Sequence, residues 1–344
     1  MPQTLDPDPA SAIQPALDAI PSQRGWKQIS RKVLDKLGPL FGLVFVVALF
    51  AALSPNTFLT TDNFQNMLRQ TAVVGTAALG ATVIILSGGI DLSVGSNIAL
   101  CTVVIAETLL FGASPIVAAL CGILSSMACG LIVGLLVTWL DLAPFIVTLG
   151  MWGAVRGAAK WFASETTVDA GNTWLNNIMQ TIRSGNSWMI FPIGVWLMFA
   201  LTLFVGGVLK YTRFGRHVVA IGSNEQTARL CGVRVRWTKI LIYLFATLFA
   251  GIAGLLQFSY LNVGDPTTAN GYELNIIAAV VIGGTSLNGG QGGVAGTLIG
   301  ALIMTAVSNG CTKVGMPNSI QEIVTGGIII LAVVLDRLRH RQAV

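Results

Sequence analysis

The chain has 344 residues, 53% of them hydrophobic and only 10% charged, where an ordinary soluble domain carries about 25% charged residues. With a mean hydropathy of +0.74 and repeated apolar runs of spanning length, this excludes a soluble globular domain and indicates an all-α polytopic membrane protein. The net charge of +5 does not point to nucleic acid, because the cations gather at the flanks of apolar runs.

Residues 1–23 hold Asp6, Asp8 and Asp18 among prolines and alanines. They lack the basic start and apolar centre of a signal peptide and read as a disordered tail. Arg24, Lys27, Arg31, Lys32 and Lys36 then form a basic lead-in. This sets 1–36 apart from a membrane domain over 37–336 and a basic end over 337–344. Hydropathy marks about ten membrane segments, near 38–54, 66–87, 95–111, 115–138, 142–162, 189–209, 239–259, 274–287, 295–312 and 319–335. Two are weak. The segment near 66–87 carries Arg69 and many small residues, and the one near 274–287 is short and ends on Gly283-Gly284.

Charge predicts the orientation. The lead-in, the loop 210–239 (Lys210, Arg213, Arg216, Arg229, Arg234, Arg236, Lys239) and the end (Arg337, Arg339, Arg341) hold most of the 20 Lys and Arg. Outer loops keep Arg183 and Lys313 beside Glu165, Asp169, Asp265 and Glu273. The positive-inside rule then places both termini and the 210–239 loop in the cytoplasm. Glu107, Arg156 and Lys160 fall towards the outer ends of their helices, where snorkelling accounts for them. The outer loop 163–188, with Trp174 and Trp188, reads either as an interfacial connector or as the meeting place for an external protein.

Two glycine-rich breaks occupy comparable places in the two halves, Ser87–Ser96 (SGGIDLSVGS) and Ile282–Gly290 (IGGTSLNGG). Interrupted helices at corresponding positions point to a translocation site, and irregular backbone at membrane depth is tolerated only against protein or a water-filled cavity. Pathway or gating candidates are therefore Gly88, Gly89, Asp91, Ser93, Asn97, Asn275, Gly283, Gly284 and Asn288. The competing reading is a pair of tight capping turns at the membrane surface. Asp91 is either an intramembrane functional carboxylate or a helix cap, with Ser93 and Ser96 following.

Phe214–Arg236 is the long polar interruption between membrane-grade segments. Ser223 as N-cap with Gln226 three residues on fits a capping box. Glu225 and Arg229 fit an i,i+4 pair, and Gly232 fits a C-terminal stop. About two turns of helix cannot stand alone in water, so a partner or the rest of the chain must hold it. Close-packing pairs recur at Gly130/Gly134, Gly153/Gly157 and Gly292/Gly296/Gly300, within the protomer or across a dimer.

Several chemistries lack their residues. Cys101, Cys121, Cys129, Cys231 and Cys311 show no CxxC spacing and read as small hydrophobes. His217 and His340 have no carboxylate or thiol cluster around them, so neither a metal site nor a catalytic dyad is indicated. GGQGGVAG at 289–296 has no βαβ context and is not a dinucleotide site. No lysine is followed by serine or threonine, which excludes a P-loop. If the chain transports, a separate ATPase is the economical engine. The alternative is an ion-coupled secondary carrier, for which Asp91 is essentially the lone buried carboxylate.

Three stretches, LSGGIDLSVGS at 86–96, FGRHVVAIGSNEQTARLCGV at 214–233 and AAVVIGGTSLNGGQGGVAGTLIGAL at 278–302, make the chain resemble the permease subunit of bacterial ABC importers for monosaccharides, the ribose/xylose/galactoside group. The resemblance covers essentially everything after about residue 35. It implies a multi-pass protein of the bacterial inner membrane, with about ten helices in a vitamin-B12-importer-like (type II) fold. It further implies a second permease subunit, expected as a homodimer, a cytoplasmic ATPase that binds the ATP, and a periplasmic sugar-binding protein. No cofactor and no catalysis fall to this chain. The loop matching Gly215–Gly232 would supply the coupling helix, with Gly215, Arg216, Ala220, Gly222, Ser223, Asn224, Glu225, Ala228, Arg229 and Gly232 as coupling residues. In that role Gly222 permits the turn, Ser223 caps, and Glu225 and Arg229 make polar contacts. The tail over 1–23 and His217, where an aromatic residue is common, depart from the family pattern.

Overall fold

The computed structural model describes residues 23–182 and 190–341. The acidic tail apart from Gln23, together with Arg183 and Trp188, lies outside the described residues. The chain divides at Gly38/Pro39, where Pro39 removes one backbone donor inside the first helix. The first unit is helical from Gln23, and all packing described here belongs to the second.

The helices are α1 (Gln23–Leu53), α2 (Pro55–Phe58), α3 (Thr61–Leu86), α4 (Val94–Leu110), α5 (Pro115–Trp139) and α6 (Pro144–Phe162). A 3-10 turn, Trp174–Met179, precedes α7 (Ile193–Tyr211), α8 (Arg213–Ser223), α9 (Glu225–Leu230) and α10 (Val235–Leu261). Then come α11 (Tyr272–Ile282), α12 (Val294–Lys313) and α13 (Asn318–Arg341). Their starts are encoded locally. The Thr60 hydroxyl accepts from the Asn63 amide at 3.3 Å to begin α3. Proline opens α5 and α6, where its missing N–H costs nothing. Among the described residues no strand forms, and the one β-bridge pairs Val168 with Gly264.

Each of the expected membrane segments overlaps a helix, although the one near 274–287 runs past its helix, which ends at Ile282. Five helices, α3, α5, α7, α10 and α12, are long and apolar enough to cross a membrane, and shorter apolar stretches lie at Gly38–Leu53, Val94–Leu110, Tyr272–Ile282 and Asn318–Val334. The protein is therefore a multi-pass membrane protein. α11 has 11 residues. At 1.5 Å per residue it rises about 16 Å, roughly half of a ~30 Å hydrocarbon layer.

Of the five long apolar helices, the one with the weakest hydropathy signal is the most deeply buried. α3 is 89% buried over its spanning window and packs against α7, α10, α11 and α12. It can sit there because its residues are small. A Cβ on Gly80 would lie 2.6 Å from the Ala246 carbonyl oxygen of α10. Hydroxyl and amide pairs tie α3 to α12: Thr71 to Thr305 at 2.6 Å, Thr82 to Thr297 at 2.8 Å, and Asn63 with Asn309 reciprocally at 2.9 and 3.0 Å. Such bonds hold helices together where burial against lipid offers little driving force.

The close-packing pairs divide. Gly130 and Gly134 seat α5 on Thr247 and Ile240 of α10, and Gly296 and Gly300 seat α12 on Gly283 and Ala279, all within the protomer. A Cβ on Gly153 or Gly157 of α6 would meet no other described element within 4 Å.

Candidate functional site

The polar loop after α7 folds as two short helices rather than one. α8 starts at Thr212, whose hydroxyl accepts from the Gly215 amide at 3.2 Å, and it buries Gly215, Val218 and Ile221. Ser223 is its last residue, not the cap of the next helix, and its hydroxyl donates to the Val219 carbonyl at 2.9 Å. The cap of α9 is Asn224. Its extended backbone ends α8, and its Oδ1 accepts from the Thr227 amide at 2.8 Å. The stop at Gly232 is as expected. With φ at +85°, it donates to the Arg229 carbonyl, and Val233 donates to Ala228, both at 3.1 Å.

Glu225 and Arg229 do pair, at 3.2 Å. Glu225 also receives Lys239 of α10 at 2.6 Å, so one carboxylate joins α9 to α10. Underneath, Ile221, Ala228 and Val235 bind α8, α9 and α10 into one apolar cluster. The rest of the chain thus supplies the support that a two-turn helix lacks. Leu230, at the tip, stays 88% exposed.

Gly222 does not make a turn. It lies inside α8 and brings that backbone against two others. A Cβ there would run into the Leu86 carbonyl at the end of α3 and come within 2.7 Å of the Gly290 nitrogen. Gly290 itself donates to the Leu86 carbonyl at 2.9 Å. Gly289, at φ +82°, has no room for a Cβ either, which would sit 2.9 Å from the Gly222 carbonyl oxygen and 3.0 Å from the Gly88 nitrogen. The end of α3, the end of α8 and the α11–α12 loop therefore meet backbone to backbone. Both glycine-rich breaks and the polar loop, remote in sequence, form one junction. Gly283 lies in the same α11–α12 region against Gly296, and Gly284, at φ +89°, ends α11.

Asp91 lies in the middle of the first break, 4% exposed. Its Oδ1 accepts from the Ser93 amide at 2.7 Å and the Ser93 hydroxyl at 2.6 Å, while Oδ2 has no partner among the described residues. Ser93, not Asp91, occupies the cap position of α4. Asp91 folds the turn two residues ahead of it. The Asn97 amide donates to both the Ser93 hydroxyl and the Ser93 carbonyl at 3.1 Å, completing a buried polar chain.

Two charged residues expected towards the outside turn inward. Glu273, at the start of α11, is 8% exposed, so among the described residues the buried carboxylates are two rather than one. Arg156 does not snorkel. Its Nη1 donates to the Pro266 carbonyl at 2.9 Å and the Thr268 carbonyl at 2.6 Å, clamping the α10–α11 loop to α6.

A cavity of about 460 Å³ opens beside α3, remote from the glycine junction, lined by Arg69, the stretch around Asn172–Thr181, Ser259 and Asn262. Leu86 and Arg69 are 17 residues apart on one helix, roughly 26 Å along its axis. Arg69 sets its guanidinium 4.6 Å over the Tyr260 ring and donates to Asn66 at 3.1 Å. Asn176 donates to Asn262 at 2.9 Å and accepts from the Thr173 amide at 2.7 Å. The Met179 amide donates to Ser259 at 2.9 Å, fixing the 3-10 turn on α10. A second cleft of about 30 Å³ is lined by Gln70, Tyr272, Asn275, Thr305 and Ser308 among others.

Of the pathway candidates, only Asn275 lines either of these spaces. Ser93 and Asn97 are buried in the start of α4, and Asn288 is exposed in the α11–α12 loop. The cavity residues, Arg69 and the run of amides over 172–180, escaped the sequence reading. Their signal was the cluster NTWLNN at 172–177, which is also what an interfacial connector looks like.

Residues 63–333 match the family described as the branched-chain amino acid transport system / permease component. The chain is 39% identical to the ribose import permease protein RbsC of Bacillus subtilis (strain 168), over 89% of this chain and 94% of that one. It is 35% identical to the D-allose transport system permease protein AlsC of Escherichia coli (strain K12), over 88% and 92% respectively. It is 34% identical to the fructose import permease protein FrcC of Rhizobium meliloti, over 89% and 86%. No solved structure matches the chain.

Proposed function

We propose, from the premise that the chain belongs to the permease-component family of branched-chain amino acid transport systems, that it forms the membrane pathway of a monosaccharide importer powered by a separate ATPase. The chain is a transport subunit and not an enzyme. Its cargo is a pentose or hexose, as the names of the ribose, D-allose and fructose permeases suggest for relatives that align over most of its length. In this reading ten helices cross the membrane in the type II arrangement and two copies make a dimer. Both termini and the 210–239 loop face the cytoplasm, and a periplasmic sugar-binding protein delivers the sugar from the other side.

The observation that carries the coupling role is the glycine junction. ATP closes the partner ATPases, and they push on α8 and α9, where the exposed Leu230 offers an apolar tip and Arg216 and Arg229 offer charge. Asn224 and Gly232 fix the ends of α9, and Glu225 passes its displacement to α10. Gly222 passes the displacement of α8 directly to the backbones of Leu86 and Gly290. Packed backbones have no rotamers to absorb the motion, so α3 and the α11–α12 loop move as α8 moves. α3 is enclosed by α7, α10, α11 and α12, and its movement repositions the far cavity.

The competing reading, an ion-coupled carrier, draws on the two buried carboxylates, Asp91 and Glu273. Sugar uptake by reconstituted vesicles separates the two. An importer requires ATP, the ATPase and the binding protein, and it ignores collapse of the proton gradient. Uptake by this chain alone, abolished by a protonophore, would establish the carrier.

A further inference from the structure

We infer that the amide-lined cavity beside Arg69 is an acceptor site for one neutral monosaccharide, held between its release by the delivery protein and its passage inward. The inference rests on the transport reading above and names the place and chemistry of the sugar's first contact with this chain. The cavity's volume of about 460 Å³ lies within the roughly 300–1,000 Å³ of small-molecule sites.

The lining residues divide into two sets. Asn176 spends both ends of its amide on Thr173 and Asn262 and so fixes the shape of the wall. Asn172, Asn177 and Gln180 make no side-chain hydrogen bond to any described residue, and all three are solvent-exposed. Each of these amides offers donors and an acceptor in one plane, which suits a ligand whose every hydroxyl both donates and accepts.

Arg69 is the one charged group among the described lining residues. Its guanidinium is held flat by Tyr260 and Asn66, and its Nε meets no acceptor among the described residues. The stack and the hydrogen bond hold it as a fixed fork in the wall rather than a swinging point charge. With no carboxylate among the described lining residues, a cationic ligand finds no counter-charge there. Against Arg69 alone, a phosphorylated sugar would remain undercompensated. A neutral polyol fits both facts. Because hydroxyls here exchange water for amides, the net gain is small, and the site releases what it takes.

The test uses the complete importer in vesicles, with radiolabelled D-ribose, D-allose and D-fructose as probes. The variants are the double Asn177→Ala/Gln180→Ala, at exposed positions that do not bear on folding, and Arg69→Lys, which keeps the charge and loses the fork. The readout is sugar moved per ATP hydrolysed. In both variants this ratio is expected to fall about tenfold, the loss appropriate to removing a few ligand hydrogen bonds, and to fall unequally among the sugars. A fall of uptake and hydrolysis by the same factor would make this surface a docking face for the delivery protein, and the site would be overturned. An unchanged ratio overturns it as well. If the unaltered importer moves none of the three sugars, the transport reading fails and the site with it, a result distinct from failure of the variants alone.

Discussion

The two regions that α3 connects are built from different material. At the Leu86 carbonyl the close contacts are with the backbones of Gly222 and Gly290, and Gly289 packs on the backbones of Gly222 and Gly88. Around Arg69 the neighbours are amides, hydroxyls and an aromatic ring, several with hydrogen-bonding capacity unspent. On the proposed reading, the first arrangement would pass displacement and recognise nothing, and the second would recognise polar ligands and be too open to pass displacement. For a transporter driven from one side and loaded from the other, that contrast would divide the tasks, and it can be broken one residue at a time.

The largest effect is expected at Gly222. A methyl there has no space, and overpacking costs about 1–3 kcal/mol. Gly222→Ala should lower uptake by about tenfold or more while the purified complex keeps its partners. Uptake equal to that of the parent would show that the junction transmits nothing. Next comes Arg156. Arg156→Ala strips two buried carbonyls of their donor, costing about 1–3 kcal/mol, read as a lower melting temperature in detergent. An unchanged Tm would mean the clamp on the α10–α11 loop is dispensable.

Asn224→Ala removes the cap of α9 at about 1 kcal/mol, and hydrogen exchange in Glu225–Leu230 should quicken while α8 keeps its protection. Glu225→Gln weakens the ties to Arg229 and Lys239, whose surface setting makes them worth about 0–1 kcal/mol. Fold stability should barely change, but sugar-stimulated ATP hydrolysis should drop several-fold. No drop would remove Glu225 from the coupling path. The smallest effect belongs to Gly207→Ala in α7. Nothing lies within 4 Å of that position, and losing a helix glycine stabilises by about 0.5–1 kcal/mol, so Tm should hold or rise slightly. This is the control that distinguishes a glycine needed for contact from one that is not.

How much of this was legible beforehand follows from what each residue faces. Hydropathy reports contact with lipid, so α5, at 2.4 and 39% buried, stood out, while α3, at 1.4 and 89% buried, read as weak. The most central helix needs the least apolar sequence, because protein surrounds it. The two glycine-rich breaks and the polar loop were each visible as local exceptions, but their meeting at Gly222 is a tertiary contact that no local pattern encodes. The cap moved from Ser223 to Asn224 because α8 continues through Ser223, which its burial of Val218 and Ile221 favours. By sequence Arg156 reads as a snorkelling cation and Glu273 as part of an outer loop, whereas Arg156 meets backbone carbonyls and Glu273 is buried. The amides over 172–180 could not be told from a connector until the 3-10 turn docked them on Ser259 and Asn262.

The central claim is that motion at α8 reaches the Arg69 cavity through Gly222. It is tested by thiol labelling of Asn177→Cys in the complete importer, with the exposed Cys231 replaced by serine. In the parent background ATP is expected to change the labelling rate about tenfold, and in Gly222→Ala the rate should no longer respond although ATP still binds. An identical response to ATP in both backgrounds would contradict the claim.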